Sequence, residues 1–274
     1  MFYDTGQLLH VIIGILNFKV DCAKANEFML KELYRTEDKY GELVVTEQGE
    51  KRILSFASSL QQSAIYIEKP HRLVHEYTQI MLLGMMFNKA KNIVVLGLGG
   101  GGLVHCLNYY FPKVVLQAVD IRQSVIDIAY QWFNLPENSN INVHCNDAAN
   151  YIQQIETGSV DIIFSDLYEA QGMSDIQLQA AFISNSYKSL GENGCMVINF
   201  HSLPDEESSV IKQVREQFSA VYMCDVFKGN WIVFCIKSEL SLDNSDLKTH
   251  AVNLGKKMEL PMKYFYKQLR IIPL

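Results

Sequence analysis

The sequence predicts an α/β chain built on a doubly wound sheet, preceded by a small β unit. Three observations carry that prediction. A short apolar run feeds a glycine-rich turn, the next apolar run ends in an acid, and a strand-helix rhythm persists from Asn92 to about Ile236. The run Ile93-Val94-Val95-Leu96 is rich in β-branching, as suits a strand covered on both faces. Glycines begin abruptly at Gly97, Gly99, Gly101 and Gly102. A backbone free of Cβ atoms turns sharply there and comes close to a ligand, and Leu103 to Tyr110 continues as a helix with its N-terminus toward the site. A second strand, Val114 to Asp120, then places a carboxylate roughly 20 residues past the first glycines, where an acid accepts hydrogen bonds from the two hydroxyls of a ribose.

The elements follow in order. The apolar run Leu8 to Phe18 is broken by His10 and Gly14, is too short to span a membrane, and has Asp4 rather than a basic flank before it. It is expected to be a core or interface segment, which would suit a homodimer. Gly41 to Glu47 and Lys51 to Phe56, joined through Gly49, carry a hairpin signal. Arg72 to Phe87 has apolar residues near helical spacing. Residues 1–70 are therefore expected to form an N-terminal segment and small β-hairpin domain, and residues 71–274 a Rossmann-like nucleoside-binding domain. Strands are predicted at Ile93–Leu96, Val114–Asp120, Ile141–Cys145, Val160–Ser165 and Cys195–Phe200, with helices between them. Ala220–Phe227 and Asn230–Ile236 flank Lys228-Gly229 and read as an antiparallel hairpin at one sheet edge. That C-terminal hairpin marks a class I methyltransferase-like sheet rather than a dinucleotide dehydrogenase. Ser238 to Ser245 reads as a loop, and the last 25 or so residues as an amphipathic helix and an apolar tail.

Composition narrows the function. With 274 residues, 49% hydrophobic and 20% charged, the chain is long enough for a full core. A net charge of −6 argues against nucleic-acid binding, which needs a basic surface. Cys22, Cys106, Cys145, Cys195, Cys224 and Cys235 have no CxxC pairing and no spacing with histidines that suits zinc. Reduced thiols, a cytoplasmic location, no metal and no membrane are the expectations.

Ligands of an open α/β sheet lie across the carboxyl ends of its strands. Asp120, Asp147 and Asp166 each follow a predicted strand. Asp147, next to the small Ala148, is placed to accept a hydrogen bond from an adenine amino group. Asp166 would sit beside the reactive part of the ligand, although an Asp there also commonly caps the next helix.

From about Tyr40 to Ile236 the sequence resembles the spermidine synthase family, polyamine aminopropyltransferases that use decarboxylated S-adenosylmethionine. The likeness runs through the hairpin, Leu73-Val74-His75-Glu76-Tyr77, the glycine turn, Asp120, Asn146-Asp147-Ala148, Asp166 with Glu169, and Lys228-Gly229-Asn230-Trp231. It is nearest to a divergent bacterial subgroup whose turn reads Gly-Leu-Gly-Gly-Gly. The resemblance implies that Gly97, Gly99 and Gly101 shape the cofactor turn. Asp120 with Ile121 would hold the ribose side, Asp147 with Ala148 the adenine side, and Asp166 would accept or orient the proton of the attacking amine. Glu169, Glu76 and Gln62 would contact the amine substrate or the donor, Gln62 together with Ser63. Glu169 stands where the family has a second Asp, Val74 where it has a tyrosine, and Gly100 where it has a loop acid that pairs with the donor's aminopropyl nitrogen. The implied reaction moves an aminopropyl group to an amine such as putrescine. Because Gly100 removes an acid that would repel a carboxylate, methyl transfer from intact S-adenosylmethionine is the alternative. A nucleoside-binding homologue without catalysis is the other.

Overall fold

The computed structural model describes residues 30–56, 61–169, 172–205, 207–226, 229–239 and 245–272. The side chains of Gln61, Gln62 and Glu169 are not among those described. The Leu8 to Phe18 run and Cys22 lie outside the described residues, as does Lys228.

The hairpin read from the sequence is the middle of a four-stranded antiparallel sheet in the order β1 (Lys31–Asp38), β2 (Gly41–Gln48), β3 (Lys51–Phe56), β4 (Gln61–Tyr66). β2 turns into β3 at Gly49, whose φ of 57° is the left-handed conformation the turn needs. Alternation then sorts the faces. Leu43, Val45, Leu54, Phe56 and Ile65 point inward and pack with Val125, Ile128 and Phe133. Those last three come from the helix α3 (Gln123–Phe133) of the larger sheet's winding, so the small sheet is a wall laid against the larger one. Strand β1, KELYRTED, is mostly exposed and has little apolar alternation, which is why the sequence does not announce it.

The predicted helix Arg72 to Phe87 is shorter than its periodicity suggests. Leu73 bridges back to Ile65, and His75 is extended at φ −91° and ψ 135°, so the helix α1 is confined to Glu76–Met81. A 3-10 turn, Leu82–Met86, follows. Gly84 lies so close to the strand that carries Val197 that an added Cβ would meet Val197 Cγ2 at 2.6 Å, which leaves no room for a side chain on that face.

The large sheet then winds through β5 (Asn92–Leu96), α2 (Gly102–Tyr110), β6 (Val115–Asp120), α3 (Gln123–Phe133), β7 (Ile141–Cys145), α4 (Ala148–Gln154) and β8 (Val160–Ser165). A two-stranded ribbon of β9 (Tyr168–Glu169) and β10 (Gly172–Met173) precedes α5 (Ala180–Ser189), β11 (Leu190–Phe200) and α6 (Ser209–Gln217). β12 (Ala220–Asp225) and β13 (Trp231–Ile236) form the expected hairpin. The strand order β12-β13-β11-β8-β5-β6-β7 places antiparallel β13 between β11 and β12. The C-terminal region is two helices rather than one, α7 (Ser245–Met258) and α8 (Met262–Gln268), and the tail adds a two-residue strand, β14 (Arg270–Ile271), to the outer edge of β12.

Both faces of the sheet are buried, as the apolar run in β5 requires. Ile93 and Val95 join a core with α2, α7 and α8, whereas Val94 and Leu96 join a second core with α4, α5 and α6. Cys106, Cys195, Cys224 and Cys235 are buried free thiols, and Cys145 is exposed. No described helix is long and apolar enough to cross a membrane.

Candidate active site

The carboxyl ends of β5, β6, β7, β8 and β11 open into a cleft of about 470 Å³, walled on the other side by Phe56, Ser63 and Ala64 of the small sheet. It has two chemically different ends.

At the first end, the turn after β5 is forced by positive φ at Gly97, Gly99 and Gly101, of 89°, 52° and 74°. A Cβ on Gly97 would meet the Asp166 carbonyl oxygen at 2.1 Å, so this glycine lets the turn lie against the end of β8. Gly97, Gly99 and Gly102 line the cleft. Gly101 is instead the residue before α2, packed toward Leu135, and its part is to bend the turn. Gly100 is explained by packing. A Cβ there would lie 2.6 Å from the ring of Phe133, which is fully buried at the end of α3, while the Gly100 N–H donates to Ser63 Oγ at 2.9 Å.

Asp120 stands at the end of β6. Its Oδ2 accepts from the Leu98 N–H at 3.0 Å and its Oδ1 from the Arg122 N–H at 2.9 Å. The carboxylate keeps acceptor capacity for a ligand hydroxyl. Burial raises its pKa from the ordinary carboxylate value, and the backbone donors of Arg122, Leu98 and Gly99 pull it back in part. Ile121 is 41% exposed and lines the cleft beside it. Asp147 and Ala148 line the cleft after β7. Asp147 is also the N-cap of α4, its Oδ1 accepting from the Asn150 N–H at 2.9 Å.

The small sheet is bolted to this end. Arg122, 6% exposed, donates through Nε and Nη2 to the two oxygens of Asp38, at 3.0 and 2.8 Å, and through Nη2 to the Gly41 carbonyl. Ser124 Oγ reaches the same Asp38. The residue that anchors the Asp120 carboxylate through its backbone thus anchors the β1–β2 turn through its side chain.

At the second end, Asp166 follows β8 and caps no helix. Its Oδ1 accepts from Asn199 Nδ2 at 2.7 Å and its Oδ2 from the Tyr77 hydroxyl at 3.2 Å. Burial raises its pKa, and these two donors oppose the rise. Tyr77 is held well above its ordinary value by burial and by Asp166. His75 stacks on Tyr77 with ring centroids 5.5 Å apart, and its pKa is lowered by burial and by Lys51. Behind Asp166, Asn230 Nδ2 donates to Asn199 Oδ1 at 2.9 Å and to the Tyr168 hydroxyl at 3.3 Å. Fully buried Gln177 ties β8 to β11, accepting from Ser165 Oγ at 2.6 Å and donating to the Asn199 carbonyl at 3.1 Å.

Of the residues singled out in the sequence, Gly97, Gly99, Asp120, Ile121, Asp147, Ala148 and Asp166 are brought together on one cleft. Glu76 is not. It is exposed at the start of α1, because the extended backbone at His75 turns that histidine and Tyr77 toward the cleft instead. The side chains of Glu169 and Gln62 lie outside those described, although the backbone of Glu169 is in β9, next to Tyr168 on the cleft. Tyr77, Asn199 and Asn230 were not picked out by the sequence, since a lone Tyr or Asn carries no spacing signal. Tyr77 and Asn230 do fall inside the two segments quoted for the family likeness. Among the described residues, no three of His, Cys, Asp and Glu are grouped to hold a metal ion.

Known proteins share this fold and part of this sequence. Residues 73–246, more than half of the chain, match the Spermine/spermidine synthase domain. The polyamine aminopropyltransferase of Chromobacterium violaceum is 28% identical over 234 residues, covering 84% of this chain and 89% of that protein. The eEF1A lysine and N-terminal methyltransferase of Xenopus laevis is 30% identical over 190 residues, covering 65% of this chain and 27% of that protein. In fold, a probable spermidine synthase from Corynebacterium glutamicum superposes with a TM-score of 0.71 at 17% identity, over 81% of this chain and 86% of that one.

Proposed function

The chain belongs to the spermine/spermidine synthase family, and from that premise we propose that it is an aminopropyltransferase taking decarboxylated S-adenosylmethionine as donor and a small amine such as putrescine as acceptor. The observation that carries this reading is the position of Asp166. It closes the cleft at the end of β8, opposite a nucleoside-type end made by the glycine turn, Asp120 and Asp147.

The chemistry asks little of the protein, because the carbon on a sulfonium is already activated. The acceptor nitrogen donates its lone pair to that carbon, the C–S bond breaks with its electron pair going to sulfur, and a neutral thioether leaves. The nitrogen sheds one proton, and Asp166 is the base placed to take it. Asp120 would hold the ribose hydroxyls and Asp147 the adenine amino group. Ile121, Ala148 and Leu98 supply apolar walls, and the small sheet excludes water from the donor.

A second reading, methyl transfer from intact S-adenosylmethionine, is favoured by one feature. The Phe133 ring leaves no space for a side chain at position 100, so no loop acid opposes a donor carboxylate. The Xenopus laevis methyltransferase likeness is in keeping with it. The test is to incubate wild type and Asp166→Asn with each donor and a panel of amines and to read products by mass. Aminopropylated amine from the decarboxylated donor, lost in Asp166→Asn, is the expected result. Methylated amine from the intact donor, with no aminopropyl product from the other, would overturn the first reading in favour of the second.

A further inference from the structure

The hydrogen bonds that reach Asp166 from described side chains come from neutral donors, and they are arranged in one direction. Asn230 donates to Asn199, Asn199 donates to Oδ1 of Asp166, and Tyr77 donates to Oδ2. Reversing the Asn199 amide would turn its oxygen against the carboxylate and its NH₂ against the NH₂ of Asn230, so the chain has one stable polarity while Asp166 is ionised. Asn199 is also fixed at its backbone by Gln177 and is fully buried on β11. The two oxygens of Asp166 therefore differ. Oδ1 faces an amide that cannot turn round without breaking its bond to Asn230, whereas Oδ2 faces a hydroxyl that needs only to rotate its hydrogen.

We propose that Asn199 and Asn230 are positioning residues that hold Asp166 as an oriented carboxylate and direct the proton released by the acceptor amine to Oδ2, with the Tyr77 hydroxyl turning to accept. The proposal rests on the reading of Asp166 as the group that receives the amine. As the new N–C bond forms and the C–S pair passes to sulfur, the amine proton moves to Oδ2. The Oδ2–H then donates to the Tyr77 oxygen, and the Asn230-Asn199-Oδ1 chain is undisturbed. Asn230 also holds the Tyr168 hydroxyl, so the same chain ties the carboxylate to the β9 segment beside it.

Among the described side chains, the titratable groups that face this end of the cleft are His75 and Tyr77 at the start of α1, Tyr168 in β9, and His201 just past β11. Aspartate carboxyl carbons labelled with ¹³C, with the Asp166 signal assigned by its loss in Asp166→Asn, read the ionisation of the resting protein directly. His75→Gln and His201→Gln backgrounds separate ring ionisation from that of the carboxyl. Asn199→Ala is expected to raise the Asp166 midpoint by about one pH unit, a tenfold gain in proton affinity. Asn230→Ala should shift it the same way by less. Binding of 5′-methylthioadenosine, the probe for the nucleoside end, should change by under about twofold in both. Asn230 lies in a turn, so its variant keeps the test open if Asn199→Ala does not fold. Midpoints equal to or below the wild type's in the variants that fold would overturn the proposal, as would a loss of melting temperature with an unmoved midpoint. Failure of the functional reading is distinguishable, because there the midpoints move while no amine is modified with either donor.

Discussion

The two ends of the cleft are built from different material. The nucleoside-type end is made by backbone: a turn with three positive φ angles, N–H groups of Leu98 and Arg122 on Asp120, and an Asp that caps the next helix. The Asp166 end is made by side chains from four separate places, Tyr77 on α1, Asp166 after β8, Asn199 on β11 and Asn230 before β13. A site made of backbone is fixed once the strands pair, and it tolerates change in the residues around it. A site made of side chains is rewritten by single substitutions.

The sharpest way to break this contrast is at Asp166. Asp166→Asn should lower the transfer rate by about 10² to 10⁴, the usual worth of a positioned base, while nucleoside affinity measured by calorimetry stays within about twofold. A comparable loss of nucleoside binding would mean that the ends are not separable.

Next in size is the bolt between the sheets. Arg122→Ala leaves Asp38 without its buried partner and should cost about 3–5 kcal/mol in denaturant unfolding. It should also weaken nucleoside binding, because the β1–β2 turn would no longer brace the loop around Asp120. Arg72→Ala is the control, since its partner Glu259 and Arg72 itself are 67% and 49% exposed. A pair so exposed is worth at most about 1 kcal/mol. Equal costs for the two substitutions would refute the bracing role.

Gly100→Asp tests whether the donor end is set by packing. With the Phe133 ring where the new Cβ would go, the substitution should destabilise by about 1–3 kcal/mol through overpacking. Adding Phe133→Leu should recover part of that loss. If the two costs simply add, Phe133 is not what keeps position 100 a glycine.

The smallest effect is the pH dependence of stability. Burial raises the Asp166 pKa in the folded state, so the folded protein binds this proton more tightly than the unfolded chain. Its contribution to stability is then lost as pH rises from the ordinary carboxylate range through the raised value, and it is constant above that. The melting temperature of Asp166→Asn relative to wild type should accordingly increase across this window and level off beyond it. Asp120, raised by burial as well, has the same sign and is left intact in both proteins. A difference that falls as pH rises would contradict the assigned direction.

Much of the fold was legible. The five parallel strands and the late hairpin follow from apolar runs punctuated by glycine and acid, since a strand buried on both faces has to be apolar throughout. The helix over Arg72 to Phe87 was overextended, because its periodicity says nothing of the bridge between Leu73 and Ile65 that holds its first residues open. The same opening corrects Glu76. The family resemblance makes it a site residue, whereas the extended backbone at His75 leaves it in solvent.

The sequence by itself determined the glycine turn and the strand-end acids Asp120 and Asp147, because both are local properties that sit within one stretch of chain from Asn92 to Ala148. Only the tertiary structure decided the rest. Phe133 reserves position 100 for glycine from 33 residues further along the chain. Tyr77 and Asn199 meet Asp166, and Asn230 meets Asn199, only because β11 pairs with both β8 and β13 while α1 packs across β11 and β13. Hydrogen bonds between side chains depend on which strands become neighbours, and no local spacing of residues records that.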